Sequence, residues 1–487
     1  MLFRSQIGAS VYGKQDFVFV DGNLEQDPWK TISNYLQTGD FRYFACTVMP
    51  GPQLKQAIPF TKKIRELYPG IVTIWGGYFA SNHYKPAMQS GFIDYLIRGC
   101  GDIAFPHLIE TLENGGNEQF SGIKNLVFFD AKKNIVRNQQ DNLPDMDALP
   151  ALPYGHLEKF YDLERYIART FIGGRTLTYH SSMGCPHNCS FCGVAMVFNG
   201  SWKGRSAEKM ADDIITFKNI YRIDAIEIVD SNFFSSHSRT MSFCRLMKGQ
   251  NINWWAEGRI DTLNRFTDEE LVLLRESGCC LVLMGAETGD DKVLDQVSKG
   301  GNFGAKDTKV LVARFRKADI IPELTLVLGF PAETSAKVWY SIKNEITFIR
   351  ELKKINPQTE IIMYIYSPVP ASGTILGESV SNTGFTFPEN LEDWLKPERE
   401  NIDLRRNPGT PWLKPYMIRR IRNFETVMNA AFPGKSNFRI RGFGKFILSL
   451  AGKFRYYLRW YRFPYFLKVL LKIARYQRPE KEGFYSE

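Results

Sequence analysis

Three cysteines dominate the chemistry that this sequence can offer. Cys185-Pro-His-Asn-Cys189-Ser-Phe-Cys192-Gly has C-x3-C-x2-C spacing and gathers three of the chain's eight cysteines within eight residues. Three thiolates on one tight loop can each take one iron of a cubane, a cluster normally held by four cysteines. The absent fourth ligand leaves one iron open to chelation by a substrate. An amino acid chelating there would hold a sulfonium beside the cluster, ready to accept an electron. The competing reading is structural zinc, which wants four ligands. His187 lies inside the loop, where it cannot easily join its neighbours around one ion, and the chain has no second C-x2-C. Cys46, Cys100, Cys244, Cys279 and Cys280 show no comparable spacing and read as small buried apolar residues. Cys100 stands apart because it occupies a Gly-Cys-Gly turn.

The chain around this loop has 487 residues, enough for two or three domains. Its hydrophobic fraction of 44% is that of a globular protein with a real core. The net charge of +10 is not spread evenly: residues 435–487 hold 13 Lys/Arg against 3 Glu, so the first 434 residues are neutral overall. The basic character therefore belongs to the tail. Residues 1–14 have neither the charged nor the apolar region of a signal peptide. No apolar run approaches the roughly 20 residues that span a bilayer. The expectation is a cytoplasmic protein, where clustered thiols serve as metal ligands before they form disulfides.

The elements that must position the loop follow from short apolar runs. Residues 16–20, 43–48, 71–75 and 94–97 suit buried parallel strands, with helical segments over 53–67 and 103–113. A hairpin is expected over 125–129 and 134–137, and the Pro/Asp-rich stretch 143–154 reads as a linker. This is a doubly wound α/β pattern. Six more strands are expected at 177–181, 225–229, 253–257, 281–285, 323–328 and 360–366, alternating with helices that include 207–220, 268–277 and 335–353. Six units are too few for a full eight-fold barrel and predict an open (β/α)6 barrel, with chemistry at the carboxyl ends of its strands. The expected division is residues 1–142, an α/β domain; 143–170, a linker; 171–375, the barrel; and 376–487, a helical, basic region.

C-x3-C-x2-C with Phe191 before its last cysteine resembles the signature of the radical S-adenosylmethionine (SAM) superfamily. The resemblance covers residues 177–367 and implies a [4Fe-4S] cluster on Cys185, Cys189 and Cys192, SAM on the fourth iron, and reductive cleavage to methionine and a 5′-deoxyadenosyl radical. Each barrel strand ends in a segment similar to the family's: Glu227-Ile-Val-Asp230-Ser-Asn232, Ala256-Glu-Gly-Arg259-Ile-Asp261, Met284-Gly-Ala-Glu287-Thr-Gly289, Leu328-Gly329-Phe-Pro331-Ala-Glu-Thr, and Tyr364-Ile-Tyr366-Ser-Pro. By that resemblance Phe191, Gly193, Glu227, Asp230, Arg259, Glu287, Gly329 and Tyr366 contact SAM. The plain alternatives are a salt-bridged carboxylate at Glu227 and simple chain turns at Gly329 and Pro331.

The first third resembles the cobalamin-binding domain of the branch that includes anaerobic magnesium-protoporphyrin monomethyl ester cyclase-like proteins. The matching segments are Thr47-Val-Met-Pro-Gly-Pro-Gln, Trp75-Gly76-Gly77 and Arg98-Gly99-Cys100-Gly-Asp102. The resemblance assigns Thr47, Gly76, Gly77 and Gly99 to cobalamin; the alternative is ordinary βα turns. Two departures stand out. The chain opens where the family domain would end its first helix, so the start is truncated or the first strand is lacking. The Asp-x-His-x-x-Gly loop that supplies an axial histidine elsewhere is absent.

In the tail, basic and aromatic residues interleave over 453–462 and 466–475. This reads first as a helical cap with a solvated basic face, then as an amphipathic helix near anionic lipid, and last as contact with nucleic acid. The reading as a whole is a radical SAM enzyme, cobalamin-dependent, methylating an unactivated carbon, with flavodoxin or ferredoxin as electron donor and a small-molecule substrate of unassigned class. The rivals are an oxidative cyclase or rearrangement enzyme, a SAM enzyme with a relic first domain, and a non-enzymatic Fe–S sensor or scaffold.

Overall fold

The structure is a computed structural model that describes residues 16–115, 117–149, 157–299, 303–370, 374–396, 410–435 and 442–473. The first unit runs α1 (Pro28–Thr38), β1 (Tyr43–Thr47), α2 (Pro52–Leu67), β2 (Val72–Gly76), α3 (Gly77–Asn82), α4 (Tyr84–Gln89), β3 (Tyr95–Ile97), α5 (Ala104–Glu113), β4 (Leu126–Phe129) and β5 (Ile135–Arg137). Its sheet has the order β1-β2-β3-β4-β5, parallel through β3 and antiparallel beyond. Side-chain alternation buries both faces. Trp75 and Leu96 join a core with Leu54, Ile58 and Phe79 from α2 and α3. Ile74 and Ile97 point the other way, onto Leu108 and Ile109 of α5.

Residues 16–20 depart from expectation, forming no strand. Their aromatics are taken up elsewhere. Phe17 meets Phe160, Phe19 sits edge-on to Tyr161, and the Asp21 amide donates to the Tyr161 hydroxyl at 2.9 Å. A short apolar run thus packs on the segment entering the barrel instead of extending a sheet.

The second unit contains β6 (Thr176–Tyr179), β7 (Ser182–Gly184), α6 (Gly193–Phe198), β8 (Trp202–Gly204), α7 (Ala207–Tyr221), β9 (Ala225–Ile228), α8 (His237–Met247), β10 (Asn253–Gly258), α9 (Ile260–Leu263), α10 (Asp268–Glu276), β11 (Cys279–Glu287), α11 (Asp291–Gln296), α12 (Ala305–Lys317), β12 (Ile321–Leu328), α13 (Ser335–Ile355) and β13 (Glu360–Ile365). Six strands pair in the order β13-β12-β11-β10-β9-β6, every pairing parallel, with β6 and β13 as edges. The six-stranded open barrel expected from the sequence is what forms. Every residue of β12 is buried, as a strand covered on both faces must be. The helices start where caps allow. Ser206 accepts from the Lys209 amide to open α7, and Thr267 and Glu270 form a reciprocal capping box on α10.

Alternate residues line the lumen. Ala225, Trp255, Leu281, Ile321 and Ile172 close its amino-terminal end. On the outer face Trp254 packs against Phe233 and Phe243, and its indole donates to the Ser277 carbonyl at 3.0 Å. Beyond β13 come α14 (Ile375–Ser381), α15 (Pro415–Ala431), α16 (Gly442–Tyr457) and α17 (Tyr465–Ile473). No helix among the described residues is long and apolar enough to cross a membrane.

Trp254→Ala empties a fully enclosed aromatic site, and the expected loss is about 4 kcal/mol. A lowered midpoint in anaerobic denaturant titration checks it.

Candidate active site

The cysteine loop hangs between β7 and α6, and one carboxylate fixes where it begins. Asp230, just past β9 and wholly buried, accepts from the amides of Ser181 (2.6 Å) and Ser182 (3.0 Å) and from both hydroxyls (2.5 and 2.7 Å). Arg239 reaches the same hydroxyl of Ser181 at 2.6 Å. Ionised acceptors make the stronger hydrogen bonds, so the loop's first residues are held by charge as well as shape. The family resemblance gives Asp230 to SAM; the geometry shows it engaged with the loop's own backbone.

Donors converge on two of the sulfurs. Asn232 Nδ2 lies 3.8 Å from Cys185 Sγ, and Arg259 Nη1 lies 3.5 Å from Cys189 Sγ. Arg259 is fixed by a two-pronged pair with Asp261 (2.9 and 3.0 Å) and also donates to the Lys299 carbonyl. Burial pushes both thiols up, against the pull of Asn232 on Cys185 and of Lys299 and Arg259 on Cys189. Iron would take them as thiolates, and N–H donors at the sulfurs are among the contacts that set a cluster's properties. Ser190 Oγ, Asn232 Oδ1 and Glu287 Oε2 are buried in the same region without a hydrogen-bond partner. Three sulfurs, aimed donors and unused polar atoms fit a cubane with a polar ligand beside it. Among the described residues no three His, Cys, Asp or Glu side chains converge tightly enough for a single ion.

Glu287 ends β11 with a left-handed φ of 58° and pairs with Lys299 at 2.7 Å, both nearly buried. The next turn is pinned from α13. Glu345 accepts from the Thr288 hydroxyl and from the Gly289 amide (3.0 and 3.1 Å), and burial pushes its carboxyl up to about 7. Lys299 Nζ also lies 5.6 Å over the Phe191 ring. Phe191 continues into an aromatic series, edge-on to Phe330, which leans on Tyr366, which faces Trp412. Gly329, at φ 84°, passes under Leu413, and its carbonyl accepts from the Trp412 indole. Phe191, Gly329 and Tyr366 therefore share one wall with Trp412.

Glu227 lies apart from that wall, inside the lumen. It is in register with Trp255, and burial raises its carboxyl. It belongs with a group of carboxylates. Glu323 is pushed well up by burial, then by Glu360, Glu257 and Glu227. Glu323 and Glu360 are direct cross-strand neighbours, and Lys353 stands behind Glu360, its ammonium pulled down to about 8 by burial.

The first unit meets the loop at its far side. A Cβ on Gly193 would run into the Tyr78 hydroxyl, so α3 and α6 abut directly. Gly77, at φ 89°, has Thr47 Oγ1 and the Val48 backbone where a side chain would go; Gly99, at φ 72°, has Gln140 and the Val197 carbonyl there. The space beside Gly76 is open except for the Ile97 carbonyl at 3.7 Å. Cys100 donates to Asp102 at 3.0 Å and touches Met183, and burial pushes its thiol up. Both amide atoms of Asn82 and Asp102 Oδ1 are buried without partners. The carboxyl ends of β1–β3 thus present close backbone and unused polar atoms on the loop's flank, a donor set that fits the amide fringe of a corrin. Asn232, Lys299, Tyr78 and Glu345 were not singled out from the sequence. Only Asn232 carried a signal, as the last residue of the polar run after β9.

Residues 179–343 match the Radical SAM superfamily. The chain is 25% identical over 342 residues to an uncharacterized methyltransferase of Pyrococcus horikoshii, covering 69% of this chain and 71% of that one. It is 25% identical over 271 residues to the anaerobic magnesium-protoporphyrin IX monomethyl ester cyclase of Synechocystis, covering 55% of this chain and 52% of the relative. The solved structure of the cobalamin-dependent SAM radical enzyme OxsB with aqua-cobalamin and SAM superposes over 98% of this chain and 72% of that one, with a TM-score of 0.69 at 14% identity. The match lies within the barrel and includes the cysteine loop, and the chain has the fold seen in OxsB.

Asp230→Ala strands four donors at the head of the loop. The expected result is a loss of about 3 kcal/mol and lower iron and sulfide per chain after anaerobic reconstitution. Glu345 supplies a pH test. Its folded pKa of about 7 exceeds the unfolded carboxylate value, so its share of stability is full below about pH 4.5 and is lost as pH rises to 7. Relative to Glu345→Gln, the native chain should lose stability across that window and change little above it, measured by denaturation at fixed pH values.

Proposed function

From a radical SAM barrel whose cysteine loop abuts a sheet domain, we propose that this chain is a cobalamin-dependent methyltransferase acting on an unactivated carbon. The observation that carries the reading is the loop itself: three sulfurs, two with N–H donors, flanked through Gly193 by Tyr78 of the first unit. Bound on Cys185, Cys189 and Cys192, a [4Fe-4S] cluster would supply the electron that cleaves SAM to methionine and a 5′-deoxyadenosyl radical. Cobalamin, bound along the ends of β1–β3, would supply the methyl group, with a second SAM restoring it.

The chain's own residues position and shield. Asn232 and Arg259 donate toward sulfur and stabilise its negative charge. The fixed pairs Arg259–Asp261 and Glu287–Lys299 offer charge of both signs at adjacent strand ends, suited to a zwitterionic amino acid. We keep Phe191, Gly193, Arg259, Glu287, Gly329 and Tyr366 as SAM contacts, with Glu227 deeper in the lumen and Asp230 acting through the loop as a positioning residue. Thr47, Gly76, Gly77 and Gly99 are assigned to the cobalamin side, where Gly77 and Gly99 serve by letting backbones approach. The hard chemistry belongs to the cofactors; the protein aims it and keeps water out.

A small-molecule substrate and a reductant are requirements of this chemistry. We assign the reductant to a flavodoxin or ferredoxin, the location to the cytoplasm, and the functional division to 1–142, 143–170, 171–375 and 376–487. The similarity to an oxidative cyclase supports a second reading, in which hydrogen abstraction leads to ring formation instead of methyl transfer.

Anaerobic reconstitution with iron, sulfide and hydroxocobalamin, followed by assay of 5′-deoxyadenosine and S-adenosylhomocysteine, tests both. The expected result is both products, each abolished by Cys189→Ala. 5′-Deoxyadenosine without S-adenosylhomocysteine would favour the cyclase reading. Absence of both with a loaded cluster would overturn the proposal.

A further inference from the structure

The last two helices carry a surface that the barrel does not use. On α16, Leu448, Gly452 and Tyr456 form a stripe packed on α15: Ser449 donates to the Ala431 carbonyl at 3.1 Å, and Arg350 of α13 lies 4.5 Å over the Tyr456 ring. On α17, Leu467 and Leu471 are buried. These contacts account for one side of each helix. In a helix that only caps a core, the opposite side is polar.

Here it is not. Leu450, Phe454 and Tyr457 stand opposite the packed stripe of α16 and are 61–64% exposed; Phe466, Val469 and Ile473 do the same on α17 at 55–73%. Half of the large apolar side chains that are exposed among the described residues fall within 446–473. A patch of this kind marks an interaction surface. Its charge says what covers it. Residues 442–473 hold seven Lys/Arg and no Asp or Glu. Lys453, Arg459, Arg462, Lys468 and Lys472 are exposed, with no ion-pair partner among the described residues. Neither helix is long and apolar enough to cross a bilayer.

We propose that α16 and α17 seat the chain on the surface of an anionic bilayer, apolar residues entering the headgroup boundary and lysines and arginines meeting lipid phosphates. A protein partner of acidic surface would leave the aromatic stripe less well matched, and nucleic acid would leave its aliphatic part, Leu450, Val469 and Ile473, without a role.

The test uses the full chain with its cluster, floated with vesicles of phosphatidylcholine alone or with phosphatidylglycerol added. The chain should float with the anionic vesicles and stay behind with the neutral ones. Leu450→Ser/Phe454→Ser/Phe466→Ser should reduce flotation at least tenfold, as should Lys453→Glu/Arg459→Glu/Lys468→Glu, while 5′-deoxyadenosine formation in vesicle-free buffer is unchanged. No flotation, flotation of either triple variant equal to that of the native chain, or a stronger association with single-stranded RNA than with anionic vesicles would overturn the proposal. The vesicle-free assay reads the barrel's chemistry separately, so either proposal can fail without the other.

Discussion

A carboxylate cut off from water sits at the root of the site. Asp230 has four donors from two consecutive serines, and all four belong to the point where β6 gives way to β7, the strand that leads into the cysteine loop. Within the loop the Cys192 amide donates to the Cys189 carbonyl at 3.1 Å, a bond that ties together only its second half. Its sulfurs must nevertheless stand at the separations of a cubane. The barrel solves this by bringing a charge from the neighbouring strand, β9, to the start of the loop and a guanidinium from the next, β10, to its middle. Asp261 keeps that guanidinium from being an unpaired buried cation, a costly state. The electrostatics of the site are thus arranged before any cofactor binds.

The same loop is the meeting point of the two units. Gly193 has no room for a side chain because Tyr78 occupies it, and Gly99 lies under the Val197 carbonyl of α6. Glycines at strand ends therefore serve protein–protein approach as much as ligand approach. This bears on how such glycines are read: a missing side chain marks closeness, and what comes close must be learned from three-dimensional neighbours.

Much of this was legible in the sequence, for physical reasons. Buried parallel strands write short apolar runs, and the six barrel strands were placed within a few residues. The cysteine spacing is a short-range property and needed no fold. What escaped was set by contacts distant in the chain. Residues 16–20 form a short apolar run as a buried strand should, but their aromatics pack on Phe160 and Tyr161. Lys299 lies beyond β11 in a segment with no periodicity, yet it pairs with Glu287 and its carbonyl accepts from Arg259. Glu345 sits on a helix face, where a carboxylate looks solvated until the turn it grips is known. Asp230 reads from the sequence as a SAM contact, and only geometry shows that it holds Ser181 and Ser182.

The lumen has a property that none of its residues has alone. Glu323 is surrounded by Glu227, Glu257 and Glu360, with Lys353 as the nearby cation behind Glu360, and its proton is held far above the usual carboxylate range. The lumen in that sense keeps one carboxylic acid, Glu323, in reserve. A guest bearing positive charge beside Glu323 would be admitted in exchange for that one proton, so its hold on the barrel would tighten as the medium becomes more alkaline.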